Sequence, residues 1–201
     1  MRVHDAGALR LPGSIVALGA FDGVHIGHQN VIGGAVSASR RLDVPTVVYT
    51  FNPPPKALFH SARILTDIGE KLRRLSALGP DYAVVASFDN DFASRPAEEF
   101  LREIASLNPA ELWVGRDFRF GAQRRGDVEL LARQFTVRLA DTVRCSQGEV
   151  ISSTRIRNLI ANGDETGARQ LLGWDSIASQ RNAKVGVAVR NRVVHADLAA
   201  A

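Results

Sequence analysis

Residues 14–28 read SIVALGAFDGVHIGH, an apolar run that passes into a glycine-punctuated turn with two histidines. The run 14–20 has the composition of a buried β-strand, and a helix is predicted from about His28 to Arg41. The turn between the first strand and first helix of an α/β sheet is a common anion site, because free helix amides point at the ligand. This stretch therefore predicts an α/β fold with a phosphate site after its first strand.

Short β-rich apolar runs alternate with amphipathic stretches along the rest of the chain. This alternation predicts a Rossmann-like, doubly wound parallel sheet with helices on both faces. Further strands are predicted at 46–51, 82–87, 111–114 and 136–140. Helices are predicted at 67–78, from residue 96, at 127–134, from 152 or 153 to 163, and at 164–172.

Two segments between these elements are expected to be loops. Pro53, Pro54 and Pro55 cannot donate to a sheet ladder, so a loop is expected at the carboxyl end of the second strand. The segment 115–126 is polar and rich in glycine, which is typical of a functional loop. After residue 173 the pattern weakens, and 184–195 fits either an edge hairpin or a partly disordered tail.

Composition limits the classes of function. The 201 residues, 45% of them hydrophobic, suit one compact domain with a short appendage. No leader-like or membrane-spanning apolar stretch is evident, and the single cysteine excludes an internal disulfide and a cysteine metal cage, so a cytoplasmic protein is expected. The net charge of +4 comes mostly from scattered arginines, which favours a small anionic ligand over nucleic acid. No membrane partner is expected, since no apolar stretch is long enough to cross a bilayer.

The two histidines of the turn are candidates for catalysis. His25 and His28 are three residues apart, and glycine between them lets the backbone approach a phosphate closely. Both imidazoles would donate hydrogen bonds to charge that builds on an α-phosphate and its departing pyrophosphate, without a nucleophile from the protein. A lone histidine is more often a surface or core residue. The bracketing by Gly19, Gly23 and Gly27 favours the functional interpretation.

A second cluster lies at a predicted helix start. Ser152, Ser153, Thr154 and Arg157 offer hydroxyls, free amides and a guanidinium, a combination that suits the β- and γ-phosphates of a triphosphate. By itself, the segment also fits an ordinary serine-capped helix with a solvated arginine. The histidine pair elsewhere in the chain favours the phosphate-binding interpretation.

Residues 19–29 resemble the signature of the nucleotidyltransferase superfamily, and most of all the adenylyltransferase module of prokaryotic bifunctional FAD synthetases. Three later segments match in the expected order: TFNP at 50–53, VGRDFRFG at 114–121 and ISSTRIR at 151–157. The similarity spans about residues 14–173. It implies a nucleotidyltransferase domain over residues 1–173 and a tail over 174–201, and nothing after residue 173 resembles the family's riboflavin kinase domain.

The resemblance also implies which residues form the site. The expected catalytic residues are His25, His28 and Arg157. The expected nucleotide-binding residues are Gly19, Ala20, Phe21, Asp22, Gly23, Gly27, Ser152, Ser153, Thr154 and Arg155. The expected residues on the flavin, or acceptor, side are Phe51, Asn52, Asp117, Phe118 and Phe120, although Phe118 and Phe120 also fit a core position. No protein metal site is expected, because Mg2+ would be held mainly by the triphosphate.

Three functions follow from these observations. The leading hypothesis is transfer of AMP from ATP to FMN, which gives FAD and pyrophosphate. The second keeps the chemistry, with ATP or CTP, but changes the phosphate or phosphonate acceptor. It is motivated by Pro54, which stands where the family usually has histidine, and by the lack of resemblance to a riboflavin kinase module after residue 173. Separately, Val150 stands where members can carry a basic residue, which leaves one expected phosphate contact missing. The third is a flavin- or nucleotide-binding protein without catalysis.

Overall fold

The described part of the chain contains seven strands, eight α-helices and two 3-10 helices, at Asp22–Val24 and Ala122–Arg124. The computed structural model describes residues 1–60, 62–174 and, as backbone, 192–194. The strands are β1 Arg2–Asp5, β2 Ser14–Leu18, β3 Thr46–Asn52, β4 Tyr82–Ser87, β5 Pro109–Val114, β6 Val137–Leu139 and β7 Arg192–Val194. The helices are α1 Ile26–Leu42, α2 Pro55–His60, α3 Ile68–Ala77, α4 Asn90–Ser94, α5 Ala97–Ala105, α6 Val128–Ala132, α7 Ser153–Ala161 and α8 Glu165–Leu172.

The strands form one sheet in the order β1-β4-β3-β2-β5-β6-β7. Strands β1 to β6 are parallel, and β7 pairs antiparallel with β6. From β2 the chain winds outward through β3 and β4, and then returns to the other side of β2 to form β5 and β6. This reversal places a crevice at the carboxyl ends of β2 and β5, where doubly wound folds bind their ligands.

Both faces of the sheet are buried, as the strand composition predicts. Along β2, Val16 and Leu18 belong to one apolar cluster while Ile15 and Ala17 belong to the cluster on the opposite face. Successive side chains of a strand point to opposite faces, so a fully apolar strand needs cover on both sides. The predicted doubly wound α/β class is therefore confirmed.

Helix α1 approaches the sheet closely over β5. A Cβ atom at Gly34 would lie 2.0 Å from a ring carbon of Trp113, so only glycine allows this distance. The indole of Trp113 donates to the buried carboxylate of Glu111 at 3.0 Å, and Arg138 donates to the same carboxylate at 2.7 Å. This packing fixes the first helix, and hence its amino end, relative to the crevice.

Most element predictions agree with the structure, and the exceptions have local causes. Strand 82–87 is found as predicted, whereas β1, α2 and α4 were missed. The proline run does end β3, but the expected loop is only two residues long, because Pro55 opens α2 at the helix position where proline is tolerated. In the tail, residues 192–194 form an edge strand, and the rest of 175–201 lies outside the described residues.

Within the residues that the structure describes, no helix is both long and apolar enough to cross a membrane.

Candidate active site

The turn after β2 has an unusual backbone. Phe21, Gly23 and Val24 all have positive φ values, of 46°, 79° and 43°. This region is uncommon for phenylalanine and unfavourable for a β-branched valine, so neighbouring groups must hold the turn in place. The Gly23 carbonyl accepts hydrogen bonds from Arg74 at 2.9 Å and from the Trp174 indole at 3.3 Å. A strained turn held from outside in this way is common at functional sites.

The two histidines meet at the start of α1. The Nδ1 atom of His25 accepts a hydrogen bond from the backbone N–H of His28 at 3.3 Å, which caps the helix. The two rings stack with centroids 3.6 Å apart, and His28 also contacts the edge of Phe21. A Cβ at Gly27 would lie 3.2 Å from the His25 ring, so glycine leaves room for it. The predicted pairing of the imidazoles is thus present in the structure.

Both imidazoles are neutral at pH 7. Burial lowers the pKa of His25 to about 4. Burial also lowers the pKa of His28 well below its usual value, and the positive charges of Lys71 and, once it is protonated, of His25 lower it further. Because Nδ1 of His25 accepts a hydrogen bond, its proton lies on Nε2, which can donate to a ligand. The buried Nδ1 of His28 has no partner among the described residues.

Asp22 joins the two predicted clusters. Its carboxylate, only 2% exposed, pairs with the guanidinium of Arg157 and accepts the backbone N–H groups of Leu65 at 3.0 Å and Thr66 at 3.3 Å. Its backbone carbonyl accepts the hydroxyl of Ser153 at 3.1 Å. The start of α7 therefore lies against the histidine turn, although more than 100 residues separate them in sequence.

The other residues predicted at α7 differ in orientation. Ser152 caps the helix by accepting the N–H of Arg155 at 3.2 Å, and Thr154 accepts a hydrogen bond from Lys56 at 2.9 Å. The side chain of Arg155 instead pairs with Glu149 and contacts the sulfur of Cys145. Cys145 and Glu149 belong to the segment before α7, so this guanidinium, unlike that of Arg157, does not contact Asp22.

Lys71 is a buried cation that the sequence analysis missed. It is 0% exposed, and its Nζ donates to the carbonyls of Ala20 at 3.1 Å and Phe51 at 2.8 Å. Burial lowers its pKa to about 8, while the charge of Asp22 acts in the opposite direction. It thus fixes the chain after β2 to the end of β3 and adds positive charge beside His28. The available signal was its position four residues before the buried Leu75, on the apolar face of α3.

The remaining glycine of the turn, Gly19, has a packing role. A Cβ there would lie 2.7 Å from the ring of Phe21, so glycine lets that ring fold back into the core. The carbonyl of Ala20 accepts the hydroxyl of Thr50 at 3.0 Å as well as the ammonium of Lys71. These contacts hold the turn backbone at the mouth of the crevice.

The residues predicted on the acceptor side are only partly accessible. Phe51 and Phe120 are 5% and 6% exposed and belong to the core, whereas Phe118 is half-buried beside Phe120. The core alternative therefore describes Phe120 in this structure. Asn52 is half-buried at the end of β3. Asp117 is exposed, and its negative charge raises the pKa of His25 against the larger effect of burial. It therefore lies on the side of the loop that faces His25.

The site combines a strained strand-to-helix turn, two paired neutral imidazoles and a second helix start that is bonded to the same turn. This arrangement, at the switch point of a parallel sheet, is the one expected for a nucleotidyltransferase. The FAD synthetase family model matches residues 9–155. The chain belongs to the FAD synthetase family.

Individual relatives agree with this assignment. A putative bifunctional riboflavin kinase/FMN adenylyltransferase of Geobacillus thermodenitrificans is 54% identical over 175 residues, which cover 87% of this chain and 98% of that protein. The bifunctional riboflavin kinase/FMN adenylyltransferase of Escherichia coli K12 is 34% identical over 97% of this chain. The chain spans only 62% of the length of that second relative.

Two solved structures resemble the fold. The macrolide-efflux protein from Streptococcus pneumoniae has a TM-score of 0.75 and 31% identity over 86% of this chain and 61% of its own. Pantothenate synthetase from Thermus thermophilus has a TM-score of 0.51 and 19% identity over 90% of this chain and 77% of its own. The second likeness concerns the fold alone.

Proposed function

We propose that this chain transfers AMP from ATP to FMN, with FAD and pyrophosphate as products. The observation that carries the proposal is the junction at Asp22, which holds Ser153 and Arg157 against the histidine turn. One triphosphate bound over this junction would contact the imidazoles through its α-phosphate and α7 through its β- and γ-phosphates. Membership of the FAD synthetase family supports ATP and FMN as the substrates.

The chemistry needs positioning and charge stabilisation more than covalent help from the protein. A phosphate oxygen of FMN attacks the α-phosphorus in line, the bond to the bridging oxygen breaks, and the electron pair leaves with pyrophosphate. The neutral His25 and His28 donate hydrogen bonds to the charge that grows on the α-phosphate and the leaving group. Arg157, already held near the site by Asp22, would exchange part of that pairing for the pyrophosphate.

Mg2+ would be held mainly by the triphosphate oxygens and water, and it would neutralise charge on the phosphates. The described residues include no group of three or more histidine, cysteine, aspartate or glutamate side chains arranged to hold a metal. Asp22 lies close to the expected phosphates, but its carboxylate already accepts hydrogen bonds from Arg157 and two backbone amides. This donor set fits a metal that arrives with the nucleotide.

A second candidate is transfer of AMP or CMP to another phosphate or phosphonate acceptor. Two observations favour it: the rings of Phe51 and Phe120 are buried in the core, and Pro54 supplies no side-chain donor at the end of β3. Both concern the acceptor side and leave the triphosphate side unchanged. A flavin- or nucleotide-binding protein without catalysis is the third possibility.

A turnover assay separates these candidates. The purified chain is incubated with Mg2+, ATP or CTP, and FMN, while FAD is measured by chromatography and pyrophosphate by an enzyme-coupled assay. We expect ATP to give FAD and pyrophosphate in equal amounts, and chelation of the metal to stop both. Pyrophosphate release with another phosphate acceptor, but none with FMN, would favour the second candidate. Nucleotide binding without pyrophosphate release under any condition would favour the third.

A further inference from the structure

Lys56 in α2 reaches the start of α7. Its Nζ donates a hydrogen bond to the hydroxyl of Thr154 at 2.9 Å, across 98 residues of sequence. Thr154 is the second residue of α7, next to Ser153, which is itself bonded to the histidine turn. The ammonium group of Lys56 therefore lies at the same helix end as the residues expected to contact phosphate.

Lys56 is a cation at this helix end that has no carboxylate partner among the described residues. The guanidinium of Arg157 is paired with Asp22, and that of Arg155 is paired with Glu149. Lys56 has no carboxylate partner within the residues described, and its hydrogen bond there is to the neutral hydroxyl of Thr154. An exposed ammonium bonded to a hydroxyl keeps two further N–H donors for a ligand.

The surrounding donors are also arranged for an anion. The first amides of α7 cannot be satisfied within the helix, and those of Ser153 and Thr154 find no acceptor among the described residues. Because the oxygen of Thr154 accepts from Lys56, its own hydroxyl proton is free to point to a ligand. The buried Nδ1 of His28 is a further polar atom that lacks a partner in the described part of the chain.

We propose that Lys56 is a further phosphate-binding residue, and that it contacts the β- or γ-phosphate of the nucleoside triphosphate together with Thr154. The inference rests on the proposed function, since it assumes that a triphosphate occupies this junction. Lys56 supplies a positive charge where neither Pro54 nor Val150 carries one. Because it faces the distal phosphates and not the reacting phosphorus, its main effect is on nucleotide affinity.

The test compares three variants with the wild-type chain. Lys56→Gln removes the charge, Lys56→Arg keeps it, and Arg102→Gln removes one charge from an exposed position on α5, away from the site. Affinities for MgATP and for inorganic tripolyphosphate are measured by calorimetry, and Tm is measured for each variant. We expect Lys56→Gln to weaken both ligands by roughly 10-fold, as for loss of one charge-assisted hydrogen bond. Lys56→Arg should recover most of the affinity, and Arg102→Gln should stay within about twofold.

Two readouts keep this inference separate from the proposed reaction. Tripolyphosphate has no base and no reacting α-phosphate, so its binding tests Lys56 without turnover. If Lys56 only ties α2 to α7, Lys56→Gln lowers Tm and leaves tripolyphosphate affinity unchanged, and the inference is overturned. If the wild-type chain makes FAD while Lys56→Gln binds MgATP normally, the assignment of Lys56 to phosphate binding is wrong and the proposed function stands. If Lys56→Gln weakens tripolyphosphate binding but the wild type makes no FAD, the proposed reaction is wrong and the phosphate contact of Lys56 stands.

Discussion

Replacement of His28 by alanine is expected to lower kcat of AMP transfer by roughly 10²- to 10³-fold, the usual loss when one preorganised donor to a transition-state oxyanion is removed. The His28 ring stacks on His25 with centroids 3.6 Å apart at the start of α1, which places it where the α-phosphate is expected. Its donor role belongs to the neutral form, because burial lowers its pKa well below the usual value. The KM for ATP should change much less than kcat, since α7 provides separate phosphate contacts.

The matched control for this variant is His4→Ala. His4 is also a histidine with a buried ring nitrogen that lacks a partner among the described residues, but it lies on the edge strand β1, three strands away from β2. Steady-state rates of FAD formation for the two variants separate a site effect from a general loss of a histidine. A His28→Ala protein with a rate close to that of His4→Ala would remove the assignment of His28 to catalysis.

Replacement of Asp22 by alanine is expected to lower the free energy of unfolding by about 3–5 kcal/mol, because it leaves the charge of Arg157 without its buried partner. The variant also leaves the amides of Leu65 and Thr66 without their acceptor. Activity should fall as well, since Arg157 is then no longer held against the histidine turn. Urea denaturation gives the stability, and the turnover assay gives the activity.

Two further variants define what Asp22 contributes. Asp22→Asn keeps an oxygen for the amides and removes the charge, so it should cost less stability than alanine while still releasing Arg157. Asp67→Ala removes an exposed carboxylate that caps α3, where it accepts the N–H of Glu70 at 2.8 Å, and should cost about 1 kcal/mol. If Asp22→Ala and Asp67→Ala lowered the free energy of unfolding by the same amount, the buried pair of Asp22 and Arg157 would stabilise the fold no more than an exposed helix cap does.

The strand, turn and first helix could be predicted from sequence because their signals are local. The alternation of apolar runs with amphipathic stretches sets the class, and the glycines around His25 and His28 mark the turn between β2 and α1. The start of α7 could also be predicted, because serine is a favoured N-cap residue and Ser152 caps this helix. Strand β1 was missed because it is a short and mostly exposed edge strand with no apolar pattern.

Contacts between distant segments could not be predicted in the same way. In the sequence, Lys71 looks like a solvated helix residue. In the structure, α3 buries it next to the ends of β2 and β3, where its ammonium donates hydrogen bonds to backbone carbonyls. The direction of Arg155 depends on Glu149 and Cys145, which precede the helix. Whether Phe51 faces a ligand or the core depends on the packing of α4 and α5, which no local pattern specifies.

The most direct test follows both clusters while one ligand binds. Nitrogen NMR signals of the His25 and His28 rings and the Nε–H of Arg157 are recorded during titration with MgATP, in the absence of any acceptor. If one triphosphate contacts both clusters, all three sets of signals should shift with a single Kd and a stoichiometry of one nucleotide per chain. Shifts confined to one cluster, or two sets that saturate with different Kd values, would contradict a shared triphosphate site.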